Sequence, residues 1–134
     1  MLSNLNYIHI LVASIVYFII GALWYSLLFG KIWMKLLGIT PNEEDKKKMP
    51  MIFSVTFVLN FIIVVSTACV VGFVQPSNIV AAIKVGLLLG VGIAGATCTM
   101  NYMYSRKSIG LIAIDAGYHI LAIIITSVIL TLWH

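Results

Sequence analysis

Residues 109–133 read IGLIAIDAGYHILAIIITSVILTLW, an almost wholly apolar stretch that contains one carboxylate and one imidazole. A helix that spans the hydrocarbon core of a bilayer needs about 20 predominantly apolar residues, and this stretch exceeds that length. Three earlier segments have a similar length and composition, at residues 6–29, 51–74 and 79–104. The sequence therefore predicts an all-α, polytopic membrane protein, in which four transmembrane helices form an antiparallel bundle.

The composition of the chain supports this prediction. Of its 134 residues, 62% are hydrophobic and only 9% are charged. A water-soluble domain of this size could not bury so many apolar side chains, because a short chain leaves a large share of its residues on the surface. The four segments occupy nearly the whole chain, so we expect a single transmembrane domain over residues 1–134.

The net charge of +4 does not indicate a nucleic-acid partner. Nucleic-acid binding requires basic residues along one soluble face. In this chain the basic residues instead stand in short runs beside the apolar segments. Membrane lipids are the expected surroundings of the protein, and the plasma membrane is its expected location.

Two short polar turns divide the second half of the chain. Residues 75–78 read QPSN and residues 105–108 read SRKS. Connections this short make consecutive helices antiparallel neighbours.

The only sizeable loop covers residues 30–50. Its first part, residues 31–37, combines lysines and apolar residues at helical spacing, which is typical of a helix that lies in the membrane interface. In its second part, Thr40, Pro41 and Glu43 have the spacing of a capping box that starts a short solvated helix. We therefore expect a short cytoplasmic helical loop between the first two spans.

Two ordered motifs resemble a known family. Residues 21–33, GALWYSLLFGKIW, and residues 115–119, DAGYH, are similar to patterns of the family catalogued as domain of unknown function 1761. Leu27 stands where a proline often follows the serine in that family, so a helix break at this point is left open. The resemblance covers almost the full length, and it implies a four-helix membrane protein with no established activity.

Asp115 and His119 are the least expected residues of the last span. A central Asp, Lys or Arg in a transmembrane helix costs about 2.5–3.5 kcal/mol on insertion scales, so each one needs an explanation. Their spacing of four residues puts them on one helix face, where the carboxylate could hydrogen-bond the imidazole. One interpretation is a proton-titratable pair that lines a cavity, and the other is a hydrogen-bonded clasp between helices.

The depth of these two residues defines a larger candidate site. At 1.5 Å per residue, Asp115 lies roughly 9 Å and His119 roughly 15 Å from the predicted cytoplasmic end of the helix. Each of the other helices offers a polar or amphipathic side chain near this level. These side chains are Asn60, Thr97, Asn101, Trp24 and Tyr25.

Small residues recur every four positions in the third span, at Ala82, Gly86, Gly90 and Ala94. Gly86 and Gly90 form a GxxxG pair, which permits two helix backbones to approach closely. Thr97 and Asn101 continue on the same predicted face. Packing within the bundle, a pore lining and a contact between subunits are all compatible with this stripe.

The remaining aromatic and metal-ligating residues indicate no further site. Trp33, Trp133, Tyr7 and Tyr104 fit the aromatic belts at the two membrane interfaces. The histidines do not have the spacing of a metal site, and no phosphate loop or nucleophile elbow is present. We therefore expect no metal and no cofactor.

Three classes of function follow from these patterns. The leading hypothesis is a small homo-oligomeric transporter or channel with a titratable Asp115 and His119, because one bundle of this size is thin for enclosing a pathway. A structural or accessory membrane protein is the alternative. The third is an intramembrane enzyme that acts on a lipid, with His119 as general base, but the missing nucleophile argues against an enzyme. The substrate is not encoded in any motif.

The distribution of lysine and arginine predicts the orientation in the membrane. Seven of the eight basic residues lie in the loops at one side, and only Lys84 lies near the other. The positive-inside rule places the loop of residues 30–50 in the cytoplasm and both termini outside. A reporter that is active only in the cytoplasm should work when it is inserted in this loop and fail when it is fused after His134; the reverse result would contradict the orientation.

Overall fold

The computed structural model describes residues 5–38 and 43–133, apart from the side chain of Asp45. Thr40 and Pro41, the predicted start of the loop helix, lie outside the described residues. The described chain is helical except for short turns, and it contains no strand. Its elements are α1 (Tyr7–Leu23), π1 (Trp24–Leu28), α2 (Gly30–Leu37), α3 (Glu43–Val74), α4 (Ile79–Leu89), π2 (Gly90–Gly95), α5 (Ala96–Tyr104) and α6 (Ile109–Leu132), where π1 and π2 are π-helical.

Four of the described helical stretches are long and apolar enough to cross a membrane, which confirms the predicted all-α membrane architecture. We number them in chain order. Span 1 is Tyr7–Leu28, span 2 is Lys46–Val74, span 3 is Ile79–Tyr104 and span 4 is Ile109–Leu132. The protein is therefore an integral membrane protein.

The short loop helix and the second span, predicted as two separate helices, are one continuous helix, α3, in which Glu43 is the first residue. The charged segment and span 2 form one helix that continues through Pro50. Pro50 lacks an N–H group and so cannot donate to the carbonyl one turn earlier, but its fixed φ is close to the helical value. The lost hydrogen bond lies near the charged end of the helix, where water can replace it.

Side-chain caps begin three of the spans. The Asn6 carboxamide oxygen accepts the N–H groups of Ile8 and His9 at 3.1 and 3.3 Å. Asn78 caps span 3 through the N–H of Ala81 at 2.8 Å, and Ser108 caps span 4 in the same way. These bonds satisfy N–H groups that have no partner in the first turn of a helix.

Helix α6 occupies the centre of the bundle and packs against spans 1, 2 and 3. Its closest neighbour is α4. A Cβ atom on Gly86 would lie 2.6 Å from the Cα atom of Ile124, and one on Gly90 would lie 3.1 Å from the Cα atom of Ile120. The backbones of spans 3 and 4 therefore meet at the two glycines, and Ser127 adds a hydrogen bond to the Ala82 carbonyl at 2.7 Å.

We predict that Gly86→Ala destabilises the bundle and that Gly92→Ala does not. The first methyl group would meet the backbone of α6, whereas the nearest atom to the second would be a Leu88 side-chain carbon at 3.9 Å. Such overpacking costs about 1–3 kcal/mol. Thermal unfolding in detergent, followed by circular dichroism, measures the difference, and equal stability of the two variants would contradict the close contact.

Candidate functional site

The carboxylate of Asp115 is the centre of the best-connected polar group in the spans. Asp115 is 7% exposed. Its Oδ1 atom accepts hydrogen bonds from the Tyr25 hydroxyl and from the Trp33 indole N–H, the latter at 3.1 Å. Its Oδ2 atom accepts the Tyr102 hydroxyl at 2.5 Å. Three neutral donors, from π1, α2 and α5, thus meet one carboxylate on α6.

The partners of this carboxylate include no cation. Within residues 5–38 and 43–133, Asp115 forms no ion pair with a lysine, arginine or histidine. Hydrogen bonds from neutral groups lower the cost of burying a charge, but they do not neutralise it. The site therefore carries a net negative charge whenever Asp115 is ionised.

The first π-helical segment, π1, carries a tryptophan that packs span 1 against α6 beside Asp115. Trp24, its first residue, donates its indole N–H to the carbonyl of Ile114 at 2.9 Å. The Trp24 ring lies against Gly117, where a Cβ atom would be 3.4 Å from the ring. This contact places span 1 against the same turn of α6 that carries Asp115.

Gly30 allows the chain to turn back toward Asp115 after π1. A Cβ atom at Gly30 would lie 2.5 Å from the carbonyl oxygen of Tyr25, so only glycine fits here. The next helix, α2, then carries Trp33 to the carboxylate. The Trp-Tyr-Ser and Phe-Gly-Lys motif is thus the segment that builds one half of the site.

His119 lies one turn farther along α6 and has a different partner. Its Nδ1 atom and the hydroxyl of the fully buried Tyr17 form a hydrogen bond of 2.7 Å. The Tyr118 ring lies 5.5 Å from the Tyr17 ring and 5.4 Å from the Tyr25 ring, measured between centroids. Aromatic side chains therefore connect the surroundings of Asp115 with those of His119.

No hydrogen bond joins Asp115 to His119, although their spacing suggested one. Each side chain instead bonds to tyrosine hydroxyls of other helices. The i,i+4 spacing gives the two residues a common side of α6, but tyrosines inserted from neighbouring helices occupy their hydrogen-bonding positions.

Asn60 reaches the same cluster from α3. It is 3% exposed and lies beside the Tyr118 phenol. Its Nδ2 atom has no hydrogen-bond partner in the part of the chain that the structure describes. A buried amide donor without a partner costs free energy of folding. An additional hydrogen-bond acceptor beside Asn60 would therefore stabilise the protein.

Thr97 and Asn101 are not part of the cluster, because both are exposed. The buried positions of span 3 recur every four residues as far as Gly90 and then continue at Gly95. A π-helical turn contains an additional residue compared with an α-helical turn. This insertion turns Tyr102 toward Asp115 and leaves Thr97 and Asn101 on the outer side of the span.

Four aromatic residues of the site are absent from the set predicted from the sequence, namely Tyr17, Trp33, Tyr102 and Tyr118. Trp33 was assigned to an interfacial belt, and neither Tyr17 nor Tyr102 was recognised as a partner of the ionisable pair. The signal for Tyr102 was the GVGIAG stretch of residues 90–95, because glycine clusters favour departures from α-helical geometry. Trp33 could be placed only once the turn at Gly30 was known.

The arrangement brings two ionisable groups, the Asp115 carboxylate and the His119 imidazole, into one cluster with tyrosine hydroxyls. Tyrosine hydroxyls can donate or accept a hydrogen bond, so they can adapt to either protonation state. Within the described residues, no three His, Cys, Asp or Glu side chains are grouped so as to hold a metal ion.

We predict that Tyr102→Phe lowers stability and that Tyr104→Phe has little effect. Tyr102 donates to a buried carboxylate, whereas Tyr104 is 84% exposed. Losing a hydrogen bond to a charged group costs about 1.5–3 kcal/mol. Denaturant titration in mixed micelles compares the free energies of unfolding; equal values for the two variants would show that the Tyr102 bond contributes nothing.

Comparison with known proteins assigns the chain to a family. No curated protein and no solved structure shows significant similarity to it. The model of a family described as a protein of unknown function (DUF1761) matches residues 8–131, which include both motifs of the site. The match confirms the resemblance seen in those motifs, and the chain belongs to the DUF1761 family.

Proposed function

We propose that this integral membrane protein is a small proton-linked transporter or channel, which works as a homo-oligomer in the plasma membrane. The observation that carries the proposal is the Asp115 carboxylate, held within a span by three neutral donors and, among the described residues, by no cation. The carboxylate and hydroxyl groups in these contacts are chemically suited to bind protons. Proton flux is therefore the activity to measure.

The uncompensated charge of Asp115 favours proton exchange. An ionised carboxylate in a membrane span is costly, and the cost disappears when the carboxylate binds a proton. Protonation need not break the cluster, since the hydroxyls of Tyr25 and Tyr102 can rotate to accept rather than donate. A group with these properties can change its protonation state without unfolding its surroundings.

Tyrosine side chains occupy the space between Asp115 and His119, which lies one turn farther into the membrane along α6. The Tyr25 hydroxyl touches the carboxylate, Tyr118 lies next to Tyr25, and the Tyr118 hydroxyl donates to the Tyr17 carbonyl at 3.3 Å. The Tyr17 hydroxyl then meets the His119 imidazole at 2.7 Å. Chains of Asp, Glu and His residues inside membranes are typical of proton pathways in pumps and transporters.

Protonation of Asp115 also has a mechanical consequence. Hydrogen bonds to a carboxylate are stronger than those to a neutral carboxyl group. A proton on Asp115 therefore weakens the attachment of α2 through Trp33 and of α5 through Tyr102. Differential stabilisation of two helix arrangements is what links proton binding to a conformational change.

The outer side of span 3 supports a homo-oligomer. Thr97 and Asn101 are exposed there, and Thr97 lies roughly 10 Å along the helix from the end of span 3, where lipid offers no hydrogen-bond partner. Polar side chains of this kind join transmembrane helices of different subunits. A contact through this surface would place the Asp115 clusters of two copies on either side of a shared pathway.

We expect purified protein in proteoliposomes to conduct protons and Asp115→Asn to abolish the conduction. A pH-sensitive dye in the lumen measures proton entry driven by a potassium diffusion potential. Asn keeps the shape of the side chain but cannot titrate, so flux should fall by at least about tenfold. His119→Gln should have a similar effect for the same reason.

Tyr104→Phe is the matched control, because it removes an exposed hydroxyl outside the cluster. Native flux equal to that of protein-free vesicles, or equal to that of a folded Asp115→Asn variant, would reject the proposal. Chemical cross-linking of the same samples reports the oligomeric state, and Asn101→Leu should lower the cross-linked fraction and the flux together.

A structural role is the second candidate, and the saturation of Asp115 by three donors favours it. A clasp that only holds helices together should tolerate Asp115→Asn, because the Asn oxygen can still accept hydrogen bonds and its amide can donate to a tyrosine hydroxyl. Unchanged stability together with absent flux in the native protein would assign the cluster to packing.

A further inference from the structure

A second feature lies at the opposite end of the bundle from Asp115. A pocket of about 520 Å³ opens where span 1 begins and where spans 2 and 4 end. This volume is in the range of small-molecule sites. The residues that line it belong to no part of the Asp115 cluster.

The lining of this pocket combines an aliphatic interior with a few polar groups. Apolar side chains of spans 1, 2 and 4 form most of the wall, and the polar members are Asn6, His9, Gln75 and Thr131. No described lining residue is an aspartate, glutamate, lysine or arginine. A ligand with a charged head would therefore leave its charge without a partner in this wall.

The polar groups of the pocket include one hydroxyl without a partner and one histidine held in place by its neighbours. Thr131 is 5% exposed, and its hydroxyl has no partner among the described residues. The His9 ring stacks on Trp133 with centroids 4.0 Å apart. The His9 Nε2 atom forms a hydrogen bond of 3.3 Å with the Asn6 Nδ2 atom. A buried hydroxyl without a partner is costly. The Thr131 oxygen is covered by protein atoms, so a rotation of χ1 is what would bring it to a ligand head in the pocket.

The position of the pocket in the membrane restricts the ligand further. Its wall on span 2 reaches from the helix end to Ala68, which corresponds to roughly 9 Å of helix. This depth crosses the interfacial layer and enters the hydrocarbon core. A molecule that fills the pocket must therefore be polar at one end and aliphatic at the other.

We infer that this pocket binds an uncharged amphiphile, a molecule with an aliphatic body and one hydroxyl or ester head. The aliphatic body lies against spans 1, 2 and 4, and the head lies beside Thr131, His9 and Asn6. This inference is independent of proton transport, because none of these residues contacts the Asp115 cluster.

Quenching of Trp133 fluorescence tests the inference. The probe is a monoacylglycerol that carries two bromines on its acyl chain, titrated into the full-length protein in detergent. We expect saturable quenching that is lost in Trp133→Phe, which retains the two tryptophans of the other end, Trp24 and Trp33. Quenching that rises linearly without saturation would overturn the inference.

A pair of glycine variants provides the matched control. Gly72 lines the pocket and Gly92 lies outside it, and a Cβ atom meets nothing closer than 3.9 Å at either position. Gly72→Leu should fill the pocket and weaken probe binding by about tenfold or more. The leucine side chain would occupy the space in which the acyl chain of the probe makes its apolar contacts. Gly92→Leu should bind as the native protein does, and equal binding by both leucine variants would overturn the assignment.

The head of the ligand is tested with matched brominated chains. A fatty acid or alkylamine with the same bromines should bind several-fold more weakly than the monoacylglycerol, because its charge finds no partner. Thr131→Val should weaken the binding of the monoacylglycerol and leave the binding of a brominated alkane unchanged. Tight binding of the charged chains would reject the uncharged head that we infer.

Discussion

The hydrocarbon core offers no hydrogen bonds, so a polar side chain within a span is costly unless it finds partners inside the protein. Asp115 makes the largest such demand, and its three donors come from three different elements. Satisfying this one carboxylate therefore determines where π1, α2 and α5 lie relative to α6. The rest of that end of the bundle is arranged around this requirement.

Glycine is what allows bulky donors to reach a crowded helix. A Cβ atom on Gly21 would lie 2.8 Å from the Tyr118 hydroxyl, and Gly117 similarly leaves room for Trp24. Gly30 permits the tight turn between π1 and α2, after which Trp33 reaches the carboxylate. Large aromatic rings thus pack against glycines. This packing explains why the two sequence motifs contain Gly together with Trp and Tyr.

The sequence was sufficient to predict the four spans and to single out Asp115, His119, Trp24 and Tyr25. Length and apolar composition determine a span locally, and an ionisable residue inside one is conspicuous without any structure. The partners were harder to predict. Tyr102 faces Asp115 only because π2 contains an additional residue, and Trp33 reaches it only because the chain turns at Phe29 and Gly30, between π1 and α2. Both depend on backbone geometry that apolar periodicity does not encode.

The position of Asp115 also brings it into the electric field across the membrane. It lies roughly 9 Å along its helix from the end of span 4, or about a third of a hydrocarbon core that is about 30 Å thick. A charge at that depth lies about a third of the way through the potential difference, which is worth about 0.7 kcal/mol per 100 mV. A membrane potential therefore raises or lowers the energy of an ionised Asp115 according to its sign, so the stability of the cluster depends on voltage.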